Sequence, residues 1–178
     1  MESFFGRILY NYKGRYGLTA TLRRDQSSNF APGKQVGYFP SVSGSWTISN
    51  EGFMKKYNKV FNSLKIRGGY GELGNQNVAS YSWGSALSSI FVNSTAFGTG
   101  LGQYISNFGN PDLTWEHQKQ WNVGLDMSLL GHFDITVDLY NKISDRFLFR
   151  ATYPSITGSG IPGSGTLGMN PPFVNSGK

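Results

Sequence analysis

Along most of the chain, apolar and polar residues alternate with a period of two. In Arg15–Arg23 one face collects Tyr16, Leu18, Ala20 and Leu22, and the other Arg15, Gly17, Thr19, Thr21 and Arg23. That pattern predicts a strand with a different environment on each side. Val36–Ile48 sorts Tyr38, Pro40, Val42, Gly44, Trp46 and Ile48 from Phe39, Ser41, Ser43, Ser45 and Thr47. Leu64, Ile66, Gly68 and Tyr70 oppose Lys65, Arg67, Gly69 and Gly71. Trp121, Val123, Leu125, Met127 and Leu129 oppose Asn122, Gly124, Asp126 and Ser128, and Phe133, Ile135, Val137 and Leu139 oppose Asp134, Thr136, Asp138 and Tyr140. Phe4–Tyr12 follows the rule less cleanly, and with it six strands are predicted. Helical spacing would put Arg and Asp on the apolar stripe of the last two segments, and Gly and Thr are poor helix formers. Only Asn50–Tyr57, preceded by Ser49, predicts a helical turn.

The connections alternate in length. Lys13-Gly14 and Leu130-Gly131-His132 are tight turns. Gln26–Gln35, Leu73–Trp115 and the Gly/Ser/Pro-rich stretch from Asp145 to Pro172 are long connections. Compact soluble domains seldom carry a connection of some forty residues without structure of its own, whereas transmembrane β-barrels combine short turns at one rim with long loops at the other. Tyr10, Tyr12, Tyr16, Trp46, Ile48 and Phe133 fall at the tight-turn rim, where interfacial aromatic rings belong. The inward face of a soluble β-sandwich would alternate similarly. The barrel is favoured because the polar faces carry Ser, Thr, Gly and Asn more than Lys and Glu.

Composition narrows the classes further. Charged residues make up only 15% of the 178 residues, with 24 Gly, 13 Phe, 10 Tyr and 4 Trp, which argues against an ordinary soluble helical domain. The absence of cysteine excludes a disulfide scaffold, thiolate metal sites and cysteine nucleophiles. The net charge of +6 is spread along the chain, so it specifies no nucleic-acid partner. The first residues show neither a basic stretch nor an apolar segment with a small-residue cleavage site. No run approaches 18 apolar residues, so a membrane would have to be crossed by strands.

No motif carries recognisable catalytic chemistry, and the chain is not expected to be an enzyme or to hold a cofactor. Gly69-Tyr70-Gly71-Glu72-Leu73-Gly74 matches a dinucleotide fingerprint, yet no amphipathic helix follows and no acidic residue lies between Glu72 and Asp112 to hold a ribose. His117 and His132 lack a third ligand at metal spacing. No Gly-x-Ser-x-Gly elbow occurs, and Asp134 and Asp138 suit a polar lumen better than glycosidic acid/base work. The 39 residues from Leu73 to Pro111 contain no charged side chain but carry Tyr81, Trp83, Phe91, Phe97, Tyr104 and Phe108 among Asn, Gln, Ser and Thr. Aromatic platforms among neutral hydrogen-bonding groups suit sugar rings or a peptide backbone. A loop packed on its neighbours is the alternative.

Asn11-Tyr12-Lys13-Gly14-Arg15-Tyr16, Arg23-Arg24-Asp25-Gln26-Ser27-Ser28-Asn29-Phe30 and Tyr38-Phe39-Pro40-Ser41-Val42-Ser43-Gly44-Ser45-Trp46 occur in order. Leu64-Lys65-Ile66-Arg67-Gly68-Gly69-Tyr70-Gly71, Gly74-Asn75-Gln76, Asn110-Pro111-Asp112-Leu113-Thr114-Trp115-Glu116, Asn122-Val123-Gly124-Leu125-Asp126 and Val137-Asp138-Leu139-Tyr140-Asn141-Lys142 follow. Together they resemble the barrel of the SusC/RagA family of TonB-dependent outer-membrane transporters of Bacteroidetes. The resemblance implies an all-β fold: about six antiparallel strands from the C-terminal part of a plugged barrel of about 22 strands. It places all of residues 1–178 in that barrel, with plug, TonB-contacting segment, signal peptide and the other strands absent. It further implies import of glycans or peptides with TonB energy, under a SusD-like surface lipoprotein. Partners would be the remaining barrel and plug, that lipoprotein, TonB and outer-membrane lipid. Tyr16, Leu18, Leu22, Val42, Trp46, Ile66, Val123, Leu125, Ile135 and Val137 are expected to face lipid. Arg23, Ser43, Arg67, Asp126, Asp134 and Asp138 are expected to face the lumen. A soluble β-sandwich adhesin for carbohydrate and a siderophore-type receptor of the same class remain as alternatives.

Overall fold

The computed structural model describes residues 1–57, 59–94, 98–152 and 170–177, with the side chains of 90–99 left aside. Its strands are β1 (Glu2–Tyr12), β2 (Tyr16–Gln26), β3 (Val36–Thr47), β4 (Phe61–Asn75), β5 (Ala86–Ser94), β6 (Gly98–Asn107), β7 (Glu116–Leu129), β8 (Phe133–Asp145), β9 (Phe147–Arg150) and β10 (Phe173–Ser176). They fall into two compact units, one comprising Met1–Gln26, Gly37–Asn75 and His117–Asp145, the other Ser27–Val36, Gln76–Glu116 and Arg146–Lys178.

The first unit is a single sheet in the order β1-β2-β3-β4-β7-β8. All six strands that the alternation predicts are present, β1 included, at 11 to 15 residues each. Both tight turns place two consecutive residues at positive φ, Lys13 (50°) with Gly14 (65°) and Leu130 (53°) with Gly131 (69°). Two consecutive left-handed residues give the twist-matched turn geometry, here within three-residue loops, since Tyr12 pairs with Tyr16 and Leu129 with Phe133. Backbone bonds from Arg15 N to Tyr12 O (2.9 Å) and from His132 N to Leu129 O (3.1 Å) close them. The resulting registers, such as Tyr10↔Leu18 and Leu125↔Val137, keep each parity class on one face.

The apolar face is not covered by a second layer within this unit. Leu18, Leu22, Val42, Ile66, Val123, Ile135 and Val137 are exposed, as are the rim residues Tyr16 and Trp46, while Leu125 is half-buried. A β-sandwich would have sequestered these side chains. The fold is that of an antiparallel barrel segment whose sheet does not close, with β1 and β8 as open edges.

The helical turn expected at Asn50–Tyr57 is observed as two 3₁₀ turns, Ile48–Asn50 and Gly52–Tyr57. Two expectations need correction. The Leu73–Trp115 connection is not devoid of structure, because β4 runs on to Asn75 and β5 and β6 form an antiparallel hairpin with Ser88 opposite Tyr104. Period-two reasoning misses it because its mixture of Ser, Gly and apolar residues gives no face a uniform character. After β8, the short strand β9 pairs with β10, with Phe173 opposite Arg150. The Asp145–Pro172 stretch therefore also contains a strand, β9, whose partner follows it at Phe173–Ser176.

The second unit has a small core of its own, formed by Phe30, Ala31, Leu113, Trp115 and Leu148. The Phe30 and Trp115 rings lie 5.1 Å apart at 45°, a tilted geometry that aromatic pairs favour. The connections are therefore folded on one another.

Candidate functional site

Strand alternation gathers small and hydroxylated side chains on the polar face. Ser43 stands opposite Gly69 and Ser45 opposite Arg67. A Cβ on Gly17 would come within 2.7 Å of Ser45 Oγ, and one on Gly69 within 3.2 Å of Asn122 Oδ1. The result is a shallow trough of about 420 Å³ lined by Thr19, Ser43, Ser45, Gly69 and Asn122, with Arg67 at its side. A second of about 390 Å³ includes Ser41, Gly71, Gln118, Gln120 and Lys142. The Ser, Thr, Gly and Asn of these floors offer hydrogen bonds, and Lys65, Arg67, Glu72 and Lys142 bring charge to their sides. Among the described residues, no three His, Asp or Glu side chains converge as metal ligands.

Beside the first trough lies an ionic cluster. Arg67 donates from Nε to Asp126 Oδ2 (3.0 Å) and from Nη2 to the Asp138 carboxylate (2.8 Å), while Thr136 Oγ1 donates to Asp126 Oδ1 (3.3 Å). Gly124 makes room for it, since a Cβ there would lie 2.6 Å from both Arg67 Cζ and Asp138 Oδ1. Two carboxylates on one guanidinium leave the cluster one negative charge in excess.

Toward the other ends of the strands, Phe39 is buried and lies across Gly74, where a Cβ would come within 1.9 Å of its ring. The Arg23 guanidinium sits 5.5 Å from the Phe39 ring centroid, a cation–π distance. Arg23 also pairs with the fully buried Asp25 at 2.8 Å. The His117 ring lies 5.5 Å from Phe39 at a tilt of 51°, with Nδ1 3.6 Å from Glu72 Oε2, and Tyr70 donates to Glu72 Oε1 at 2.6 Å.

At the tight-turn rim, one carboxylate organises the connection between β3 and β4. Glu51 accepts from Tyr16 OH (2.7 Å) and Trp46 Nε1 (3.2 Å) and pairs with Arg15 (3.2 Å). The Tyr16 hydrogen bond, aided by Trp46 and Arg15 and opposed by burial, holds its pKa below the ordinary glutamate value. Asn50 donates to Gly14 O, Leu130 N to Val60 O and Gly131 N to Asn62 Oδ1. The connection is thereby fastened to both tight turns.

In the second unit, the segment Asn110–Glu116 is the organising element. Asn110 accepts from Asp112 N (2.9 Å) and its carbonyl from Leu113 N (3.2 Å), a turn that sends Leu113 and Trp115 into the core. Trp115 Nε1 donates to Gln35 O, and Asn175 exchanges bonds with the Thr114 backbone (2.8 and 2.9 Å). Lys34 pairs with Asp112 at 2.5 Å, a hydrogen bond and charge that lower the Asp112 pKa.

Of the six loop aromatics, Tyr81 and Trp83 come together, with ring centroids 6.5 Å apart at 59°. Tyr81 is 64% exposed and adopts φ 57°, a conformation uncommon for a bulky residue, within a turn closed by Ser82 N on Ala79 O and Gly84 N on Tyr81 O. Ser82 between them is buried and accepts Asn110 N on its carbonyl, while Trp83 Nε1 donates to Ser28 O at 3.4 Å. Tyr104 and Phe108 are half-buried. The Phe91 side chain, Phe97 and the Gly158–Gly165 stretch lie outside the described residues.

Of the residues expected on the polar face, Arg67, Asp126 and Asp138 form the ionic cluster and Ser43 lines the troughs. Arg23 instead joins Asp25 and Phe39, and Asp134 stands apart from the cluster opposite Ser128. Sequence reasoning passed over Asp25, Phe39, Glu51, Glu72 and His117 as a set. Only Phe39, the one large apolar residue in a Ser/Thr face, gave any signal.

Residues 2–178 match the TonB dependent receptor-like β-barrel family model. The chain belongs to that family. It is 35% identical over 159 residues to TonB-dependent receptor P39 of Formosa agariphila, covering 89% of this chain and 15% of that protein. It is 33% identical over 159 residues to TonB-dependent receptor SusC of Bacteroides thetaiotaomicron, covering 80% of this chain and 15% of that protein. Among solved structures, the RagAB peptide importer in its closed-closed state superposes over 97% of this chain and 18% of its own, with TM-score 0.79 and 28% identity. The RagAB peptide transporter superposes with TM-score 0.80 and 26% identity. The chain thus spans less than a fifth of the length of these relatives, whose family is one of outer-membrane β-barrels.

Proposed function

We propose that the chain forms part of the barrel wall of a TonB-driven outer-membrane importer for peptides or glycan oligomers, with a SusD-like lipoprotein as surface partner. In this reading Leu18, Leu22, Val42, Ile66, Val123, Leu125, Ile135 and Val137 meet lipid, with Tyr16 and Trp46 at the interface. Arg23, Ser43, Arg67, Asp126, Asp134 and Asp138 face the aqueous lumen. The observation that carries it is a single-layer sheet with one exposed apolar face, one face of small hydrogen-bonding residues, and two open edges. A wall between lipid and a water-filled lumen requires that asymmetry. Peptide as the cargo is supported by the name of the RagAB neighbours and by the uncharged loop with its Tyr81–Trp83 pair.

The facing is tested in the intact transporter. Leu125→Arg should lower barrel stability by about 2–4 kcal/mol if it reaches the bilayer midplane. Asp126→Asn should be mild, because Arg67 retains Asp138. Equal tolerance of the two in a heat-denaturation series would overturn the assignment. Trp83→Ala should weaken cargo capture while leaving barrel assembly intact, and unchanged affinity would remove the loop from the cargo path.

A further inference from the structure

The connection between β3 and β4 presents a surface that import does not use. Its one carboxylate, Glu51, is turned inward onto Arg15, Tyr16 and Trp46, and Met54 is buried as well. What remains outward is Phe53 (63% exposed), Tyr57, Lys55, Lys56 and Lys59. Lys13 at the adjoining tight turn adds another ammonium, 5.3 Å from the Tyr12 ring centroid. The same rim carries Tyr10, Tyr12, Tyr16 and Trp46 in the parity class of the apolar face. Asp134, next to the second tight turn, belongs to the other face, opposite Ser128.

Bonds to Gly14 O, Leu130 N and Gly131 N hold the connection against both turns, so these cations are carried on a fixed element. Aromatic rings settle at headgroup depth, and lysine stems lie along apolar surface while their ammoniums reach the phosphates. Uncompensated positive charge at that depth selects an anionic headgroup over a zwitterionic one. We propose that Phe53, Tyr57, Lys55, Lys56 and Lys59 form an interfacial anchor that holds anionic phospholipid headgroups against the tight-turn rim. This rests on the apolar face meeting lipid, as argued above.

The test uses the intact transporter, purified in detergent and titrated with phosphatidylethanolamine vesicles that contain, or lack, an equal part of phosphatidylglycerol. Retained lipid is then read by native mass spectrometry. The wild type should retain phosphatidylglycerol preferentially. The triple variant Lys55→Gln, Lys56→Gln, Lys59→Gln should lose that preference by about fivefold per lysine. The corresponding triple Lys→Arg variant should keep it, which separates lost charge from lost fold. Excess inorganic phosphate should not compete. Equal retention by wild type and Gln variant, or displacement by phosphate alone, overturns the anchor. A transporter that needs no detergent would instead overturn the membrane reading beneath it.

Discussion

Glu51 shows how one side chain fixes a rim. Its carboxylate accepts from Tyr16 and Trp46, whose rings stack 6.3 Å apart at 12°, and so holds two rim aromatics to the β3–β4 connection. Because its pKa is depressed in the fold, chiefly by the Tyr16 hydrogen bond, its contribution is complete above the ordinary glutamate range. It is lost as pH falls through the lowered value. Melting of the intact transporter should therefore show an acid-side loss of stability that Glu51→Gln lacks, whereas identical pH profiles would dismiss the role. Nothing in the sequence singled out Glu51, since its partners lie 5 and 35 residues away. Phe39 was legible as an exception to its Ser/Thr face, but its seat across Gly74 was not. Contacts set by register are invisible until the strands are aligned.

Five of the six long strands were readable because each repeats a period-two pattern, β1 less cleanly because Phe5 and Leu9 break its alternation, and both hairpins because their turns are short. The β5–β6 hairpin was not, since alternate residues of its sequence mix Ser, Gly and apolar side chains without a uniform character. Turn chemistry makes a separate demand. Leu130 holds φ 53° at the first central position of its hairpin, where a branched side chain costs about 1–2 kcal/mol relative to an ordinary backbone and Asn is tolerated far better. The bond from its N–H to Val60 O uses backbone alone, so substitution leaves it in place. Leu130→Asn should therefore raise the stability of the intact barrel by about 0.5–1 kcal/mol. A lowered melting temperature would mean that the exposed Leu130 side chain has an interfacial role outweighing its backbone strain.

At the scale of the whole molecule, two kinds of order coexist. The second unit buries Phe30, Leu113 and Trp115 in a core of its own, so the long connections need no lipid to be structured. The sheet has no such core. In the proposed barrel wall its faces would be covered by hydrocarbon on one side and by lumen contents on the other, and its edges β1 and β8 each present a row of unpaired backbone groups. In lipid each unpaired peptide group costs several kcal/mol, which a closed barrel avoids by pairing every strand. In water the same edges invite pairing with other copies, and the run of exposed apolar residues from Leu18 to Val137 is of a kind that marks an interaction or aggregation surface. The 178-residue chain expressed alone should therefore sediment as aggregate without detergent. Supplying the missing strands as a second polypeptide in detergent should restore a species that resists heating. A monodisperse monomer of the isolated chain in plain buffer would show that the two faces and two edges are satisfied from within, and the barrel-wall reading would fail with that result.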